Sequence, residues 1–129
     1  MVWRLVGVSV LALGVLAASS GGALAAGDPV KGKAVFARCS GCHVLTGMSF
    51  AAPPLAGVLG RKAGGAPGFH YSKPMADSGV TWTEETVDGF LAAPAKVVPG
   101  TTMFINVPDA QDRADVIAYL KTVPAPAAP

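Results

Sequence analysis

Apolar residues recur at helical spacing in three stretches of the chain, and no alternating pattern asks for a strand. In the first stretch Gly32, Val35, Phe36 and Cys39 share one face. Asp28 caps it and Pro29 takes the first helical position, where its missing N–H is harmless. Gly32 allows another helix to approach closely. In the second stretch Val87, Phe90 and Leu91 share a face, Thr83 is the cap, and Glu84 and Glu85 sit in the first turn. Pro94 ends it. Asp109, after Pro108, caps the third, whose Val116, Ile117, Leu120 and Val123 form an apolar stripe. A shorter helix is predicted from Pro74 to Ser78, stopped by Gly79. The pattern predicts an all-α fold of several short helices and long loops.

The loops carry their own signals. Val44 to Leu59 lacks periodicity, and Ala51-Ala52-Pro53-Pro54-Leu55 is stiff, extended chain because each proline fixes its φ and restrains its neighbour. Gly57 to Gly68 is glycine-rich, carries Arg61-Lys62, and reads as a surface loop interrupted by the bulk of Phe69-His70-Tyr71. Pro99-Gly100 turns the chain ahead of Thr101-Thr102-Met103, leaving Met103 on a loop. Residues 124–129 are only Pro and Ala, cannot build a core, and are expected to form a loose, flexible tail.

The first section of the chain reads as an address. Arg4 gives a positive start, Leu5 to Ala18 is apolar and uncharged, and Ala23-Leu24-Ala25 fits the small-residue preference of signal peptidase. The apolar run is shorter than the ~20 residues of a membrane span. Residues 1–25 are therefore expected to be a cleavable signal peptide, 26–123 the domain, and the mature protein periplasmic with no stable membrane insertion. Ten Lys and Arg against eight Asp and Glu give +2; loss of Arg4 leaves nine against eight, or +1. That balance shows no basic footprint for nucleic acid.

Candidate chemistry concentrates at Cys39-Ser40-Gly41-Cys42-His43. Thiols three positions apart lie on one face of a helical turn, where each can add to a haem vinyl group. The adjacent imidazole is then carried beneath the porphyrin as an axial ligand. A thioredoxin-type dithiol needs a strand–helix–strand setting that the pattern lacks. Half a zinc site would need more ligands than His70, the one further histidine. Haem attachment is the favoured reading. Two propionates would make the mature holoprotein slightly anionic. A domain of about a hundred residues has a marginal core, so its folding is expected to lean on so large an apolar cofactor.

Pro53 is a candidate to hold the far nitrogen of His43 through its carbonyl, although a rigid surface loop explains the prolines equally well. His70, Met48, Met75 and Met103 are candidates for a second iron ligand. Met48 lies too close to His43 for the chain to round the haem edge. Met75 falls in the predicted short helix. Position favours Met103, on a turned loop about sixty residues beyond His43, and leaves the others open.

From Gly27 to Val123 the chain resembles the class I c-type cytochromes, close to the mitochondrial and bacterial c2 members. The matching stretches are Gly27-Asp28, Lys31-Gly32-Lys33 and Phe36, the Cys39–His43 motif, Gly60-Arg61-Lys62-Ala63-Gly64, and Ala66 to Tyr71. Gly79-Val80-Thr81-Trp82, Val98 to Met103, and Arg113 to Lys121 follow in the family's order. The resemblance implies a fold wrapped around one haem c, linked through Cys39 and Cys42, with His43 and Met103 as iron ligands. It implies that Pro53 holds the histidine, that Tyr71 and Trp82 hydrogen-bond the propionates, that Arg61 is their countercharge, and that Thr101 donates nearby. Phe90 takes the place of a tyrosine often found beside the methionine. The first and last helices would cross with Gly32 and Phe36 against the Leu120 side.

The departures bear on function. The loop from His43 to Pro53 is shorter than in mitochondrial members, Met75 stands where an asparagine is frequent, and Ile105 replaces an aromatic residue. Ala95 and Thr102 replace two lysines of the positive ring around the haem edge; Lys33, Arg38, Lys73 and Lys96 remain. A thinner ring steers acidic partners more weakly.

The implied function is that of a monomeric, soluble one-electron carrier in a respiratory or photosynthetic chain, and not of an enzyme. Its partners would be a bc1 complex, terminal oxidase, reaction centre or periplasmic dehydrogenase. Two alternatives remain. One is a haem subunit bound stably to a single oxidoreductase. The other, opposed by the family-typical Met103, is a haem peroxidase or gas sensor with a labile sixth site.

Overall fold

The computed structural model describes residues 25–128, so the expected leader up to Leu24 lies outside the described residues. The chain forms α1 (Pro29–Phe36), α2 (Lys73–Ala76), α3 (Glu84–Ala92), α4 (Pro94–Val97) and α5 (Ala110–Lys121), joined by long loops. Among the described residues there is no strand, only an isolated antiparallel bridge between Lys62 and Thr81. No described helix is long and apolar enough to cross a membrane.

The expected caps are in place. The Asp28 carboxylate accepts from the amides of Val30 at 2.8 Å and Lys31 at 3.4 Å. Asp109 accepts from the Asp112 amide at 2.8 Å. Thr83 and Thr86 exchange side-chain and backbone hydrogen bonds at 2.8 and 3.2 Å, a reciprocal box that fixes the start of α3.

Two elements differ from expectation. The short helix starts at Lys73 and ends at Ala76 rather than Ser78. The Ser78 hydroxyl donates to the Met75 carbonyl at 2.9 Å, taking an acceptor at the helix end. Pro94 ends α3, as read from the sequence, but it also opens α4. Proline forces the preceding Ala93 out of the helical region, to φ −154°, and is itself preformed for a first helical position.

α1 and α5 meet at backbone distance. A Cβ on Gly32 would lie 1.9 Å from the Asp115 carbonyl oxygen and 2.8 Å from Tyr119 Cβ. One turn on, the Phe36 and Tyr119 rings sit 5.5 Å apart at 53°. The crossing therefore falls at Asp115 and Tyr119, while buried Leu120 lines the central cavity beside Phe36. Asp115 itself is 3% exposed. Its Oδ1 accepts from the Asp28 amide at 2.8 Å and from Gln111 Nε2 at 3.0 Å. The Asp28 bond first, then that of Gln111, holds its carboxyl below the usual carboxylate range.

The tail, exposed throughout residues 124–128, begins with one close contact. The Gly57 amide donates to the Val123 carbonyl at 2.9 Å, and Ala125 lies against Gly57. Beyond that contact residues 126–128 are exposed.

Candidate haem site

The motif is built on the continuation of α1. After Phe36 the chain keeps turning, with the Cys39 amide bonded to the Phe36 carbonyl at 2.8 Å and the His43 amide to the Cys39 carbonyl at 2.9 Å. These turns carry Cys39, Cys42 and His43 to the wall of one cavity. Cys39 is half-buried and Cys42 exposed. Burial pushes the Cys39 thiol up, partly opposed by the charge of Arg38.

His43 Nδ1 lies 2.7 Å from the Pro53 carbonyl oxygen. That oxygen can only accept, so Nδ1 carries the proton and Nε2 keeps its lone pair. Burial lowers the His43 pKa; the Pro53 bond opposes this and the Arg61 charge adds to it. The imidazole is thus a neutral, oriented base, the form in which histidine binds a metal.

The cavity measures ≈ 530 Å³, a size usual for cofactor sites. Phe36, Leu55, Val58, Leu91 and Leu120 make its wall strongly apolar. Met103 also lines it, on the loop before α5, with its amide bonded to Thr101 Oγ1 at 3.2 Å. His70 and Met75 line the same cavity. Met48 does not; it borders a smaller recess of ≈ 230 Å³ with Phe50 and His70.

Arg61, Tyr71, Trp82 and Thr101 bring polar groups to the same cavity. Arg61 Nη2 donates to the Pro54 carbonyl at 2.8 Å and Nη1 to that of Ala56 at 3.5 Å, but its buried Nε has no partner. An orphaned guanidinium N–H at the edge of an apolar cavity is costly unless an acid meets it there. A haem propionate is such an acid, so the donor set fits the group that the motif calls for. Tyr71 Oη accepts from the Ala66 amide at 3.1 Å, and Thr101 Oγ1 accepts from Met103, so both hydroxyl protons remain to donate. Trp82, 8% exposed, packs edge-on against Phe90 at 5.0 Å, and both rings line the cavity.

Sequence reasoning missed what becomes of the remaining cations. Arg38 pairs with Asp112 at 2.9 Å, and Lys73 pairs with Asp77 one helical turn on. The i,i+4 spacing of Lys73 and Asp77 was a readable signal; the Arg38 pair needed the α1–α5 crossing. Among the described residues, no group of three His, Cys, Asp or Glu side chains converges on a metal-ion site that would rescue the zinc alternative.

A helical turn bearing two thiols and an oriented imidazole, set in an apolar cavity with carboxylate-binding donors, defines a c-type haem protein. The family model described as Cytochrome c matches residues 29–124. Cytochrome c2 of Rhodomicrobium vannielii is 47% identical over 118 residues, covering 89% of this chain and 94% of that protein. Cytochrome c of Tetrahymena pyriformis is 52% identical over 99 residues, 75% of this chain and 90% of its own. Among solved structures, cytochrome cH from Methylobacterium extorquens superimposes with a TM-score of 0.71 at 43% identity, covering 74% of this chain and 99% of that one. The chain belongs to the cytochrome c family. It is an electron-carrying cytochrome with a covalently attached haem c.

Proposed function

We propose that the protein is a soluble periplasmic one-electron shuttle whose haem iron is bound by His43 and Met103. The observation that carries this reading is the convergence of Cys39, Cys42, the Pro53-oriented His43 and Met103 on one apolar cavity. Haem held there supplies one-electron exchange between ferric and ferrous iron. Cys39 and Cys42 anchor it covalently, which prevents loss outside the cytoplasm. The Pro53 carbonyl fixes the His43 tautomer and raises its basicity. Met103 offers a soft, neutral sulfur that favours the ferrous form and raises the potential. Arg61, Tyr71, Trp82 and Thr101 receive the propionates, and the apolar wall excludes water from the iron. The reading assigns no acid–base or nucleophilic step to any side chain.

The donors and acceptors that fit such a carrier are a bc1 complex, terminal oxidase, reaction centre or periplasmic dehydrogenase. A second reading, a haem subunit held by one oxidoreductase, draws on the pairing of Arg38 and Lys73 within the molecule, which thins the positive face further. Gel filtration and salt-dependent kinetics with candidate reductases separate the two.

Ligation is tested by proton NMR of the reduced, diamagnetic holoprotein. A methionine methyl on the iron lies in the porphyrin ring current and resonates far upfield. The expected result is that signal in the wild type and its loss in Met103→Ala. Its absence from the wild type rules out Met103 and turns attention to His70 and Met75, which share the cavity.

A further inference from the structure

We infer that the C-terminal segment Val123–Ala125 is a positioning element for the haem site, clasping the loop that orients His43. The inference rests on the proposed ligation by His43 and extends it to residues outside the cavity.

The loop has few ways of being held. Pro53 and Pro54 have no N–H, so the first backbone donor after the Pro53 carbonyl is that of Leu55. The amides of Leu55 and Ala56 donate to the carbonyls of Val44 at 2.9 Å and Leu45 at 2.8 Å. Those acceptors directly follow His43, so the two bonds tie the loop only to the histidine's own segment. Gly57 makes the first backbone tie to a distant part of the chain, its amide donating to the Val123 carbonyl at 2.9 Å. Arg61, bonded to the carbonyls of Pro54 and Ala56, is the other anchor.

The contact at Gly57 is close as well as hydrogen-bonded. Gly57 has φ +69°, a conformation that other residues rarely adopt. A Cβ there would lie 2.5 Å from Ala125 Cβ and 2.8 Å from its nitrogen. The segment beyond α5 therefore passes directly over the glycine. It does so four residues from the carbonyl that meets His43 Nδ1 at 2.7 Å. With that anchor gone, the next backbone tie to distant chain is the Gly60 amide on the Trp82 carbonyl at 2.7 Å, three residues further from Pro53, and the Pro53 carbonyl can drift from the imidazole. A weaker bond makes His43 a poorer donor, favours ferrous iron and raises the potential.

The test compares the full-length holoprotein with holoproteins ending at Thr122 and at Pro126. The first truncation keeps all of α5 and its C-cap but removes the clasp; the second keeps the clasp. Ending at Thr122 is expected to speed Gly57 amide exchange roughly fivefold, the protection given by one hydrogen bond of about 1 kcal/mol. It should also speed exchange of the His43 Nδ1 proton and raise the potential, while amides at the α1–α5 contact stay unchanged. Ending at Pro126 should match the full chain on every measure. Gly57→Ala should destabilise the full chain more than the chain ending at Thr122, because the clash with Ala125 exists only in the former.

If the His43 ring proton and the potential do not move on truncation at Thr122, the positioning role is overturned, even where Gly57 exchange quickens. The tail is then packing alone. If the ring protons of His43 in the reduced full-length holoprotein lack the ring-current shift of an imidazole on the iron, His43 ligation and the clasp fall together. The two failures are thus told apart by the full-length protein.

Discussion

Gly32→Ala tests whether contact between α1 and α5 sets the geometry of the motif. The new Cβ would lie 1.9 Å from the Asp115 carbonyl oxygen and 2.5 Å from its carbon, both backbone atoms that cannot rotate away. Reaching an ordinary separation of about 3.4 Å requires α1 to retreat by about 1.5 Å. In an open helix the change would stabilise by about 1 kcal/mol. Here overpacking costs about 1–3 kcal/mol, at the upper end because the contact is rigid. Parting the Phe36 and Tyr119 rings, 5.5 Å apart, costs about 0.5–1.5 kcal/mol more. The net expectation is a loss of roughly 3 kcal/mol, or a fall in melting temperature of roughly 12–24 °C for a domain of this size. Urea unfolding of the holoprotein, followed by far-UV circular dichroism, measures it. Because α1 leads directly into Cys39–His43, the reduction potential should shift in the same variant. A variant as stable as the wild type, or more so, refutes the backbone-contact argument.

The unfolded Asp115 carboxyl titrates at its ordinary 3.8 and the folded one lower, so this group favours the native state above that pH and loses the advantage as pH falls through the folded pKa. Asp115→Asn should therefore flatten the loss of stability below pH 4, as denaturant titrations across that range will show; an unchanged acid limb rejects this role. Arg61→Met removes the bonds to Pro54 and Ala56 and should cost the holoprotein roughly 1.5–3 kcal/mol. Loss of a positive charge beside the site should lower the potential by more than the loosened Pro53 loop raises it, and a potentiometric titration finding a rise or no change would count against Arg61 as the propionate countercharge. With Arg38 and Lys73 engaged in ion pairs, the second-order rate of reduction by an acidic partner should fall less than roughly tenfold between low and physiological salt, well short of the steep dependence of strongly steered pairs. Stopped-flow mixing over a salt series decides this.

The parts of the molecule that depend on neighbours in sequence were legible. Asp28, Thr83 and Asp109 announce helix starts because a cap acts within three residues. The Cys39–His43 motif is readable because its chemistry is confined to one helical turn. What depends on distant chain was not. No neighbour in sequence marks Asp115 as buried, and only the arrival of the Asp28 amide makes it a buried acceptor. The Pro-Ala tail lacks any core-forming residue, and its seat on Gly57 exists because α5 delivers it there. Pro94 was legible as a stop but not as a start, since both follow from the same fixed φ and only the next residues decide. Met103 occupies an intermediate case. The Pro-Gly turn put it on a loop, whereas its place on the cavity wall follows from the packing of the helices on either side.

The ion pairs change what the remaining charge can do. A ring of cations attracts an acidic partner over a Debye length of about 8 Å at physiological salt, but a cation neutralised at contact distance presents a dipole whose field falls off faster. Of the four cations retained from the ring, Arg38 and Lys73 are paired in this way. Short-range contact must then do more to hold an encounter. Phe50 and Phe104, 98% and 88% exposed, stand at the wall of the cavity and can supply it. Apolar contact resists salt, and it slows dissociation more than it speeds approach. A shuttle must leave quickly after each electron, so a small apolar contact suits it; a subunit gains by a large one. The number of apolar residues engaged in the complex, more than the net charge, therefore distinguishes the two.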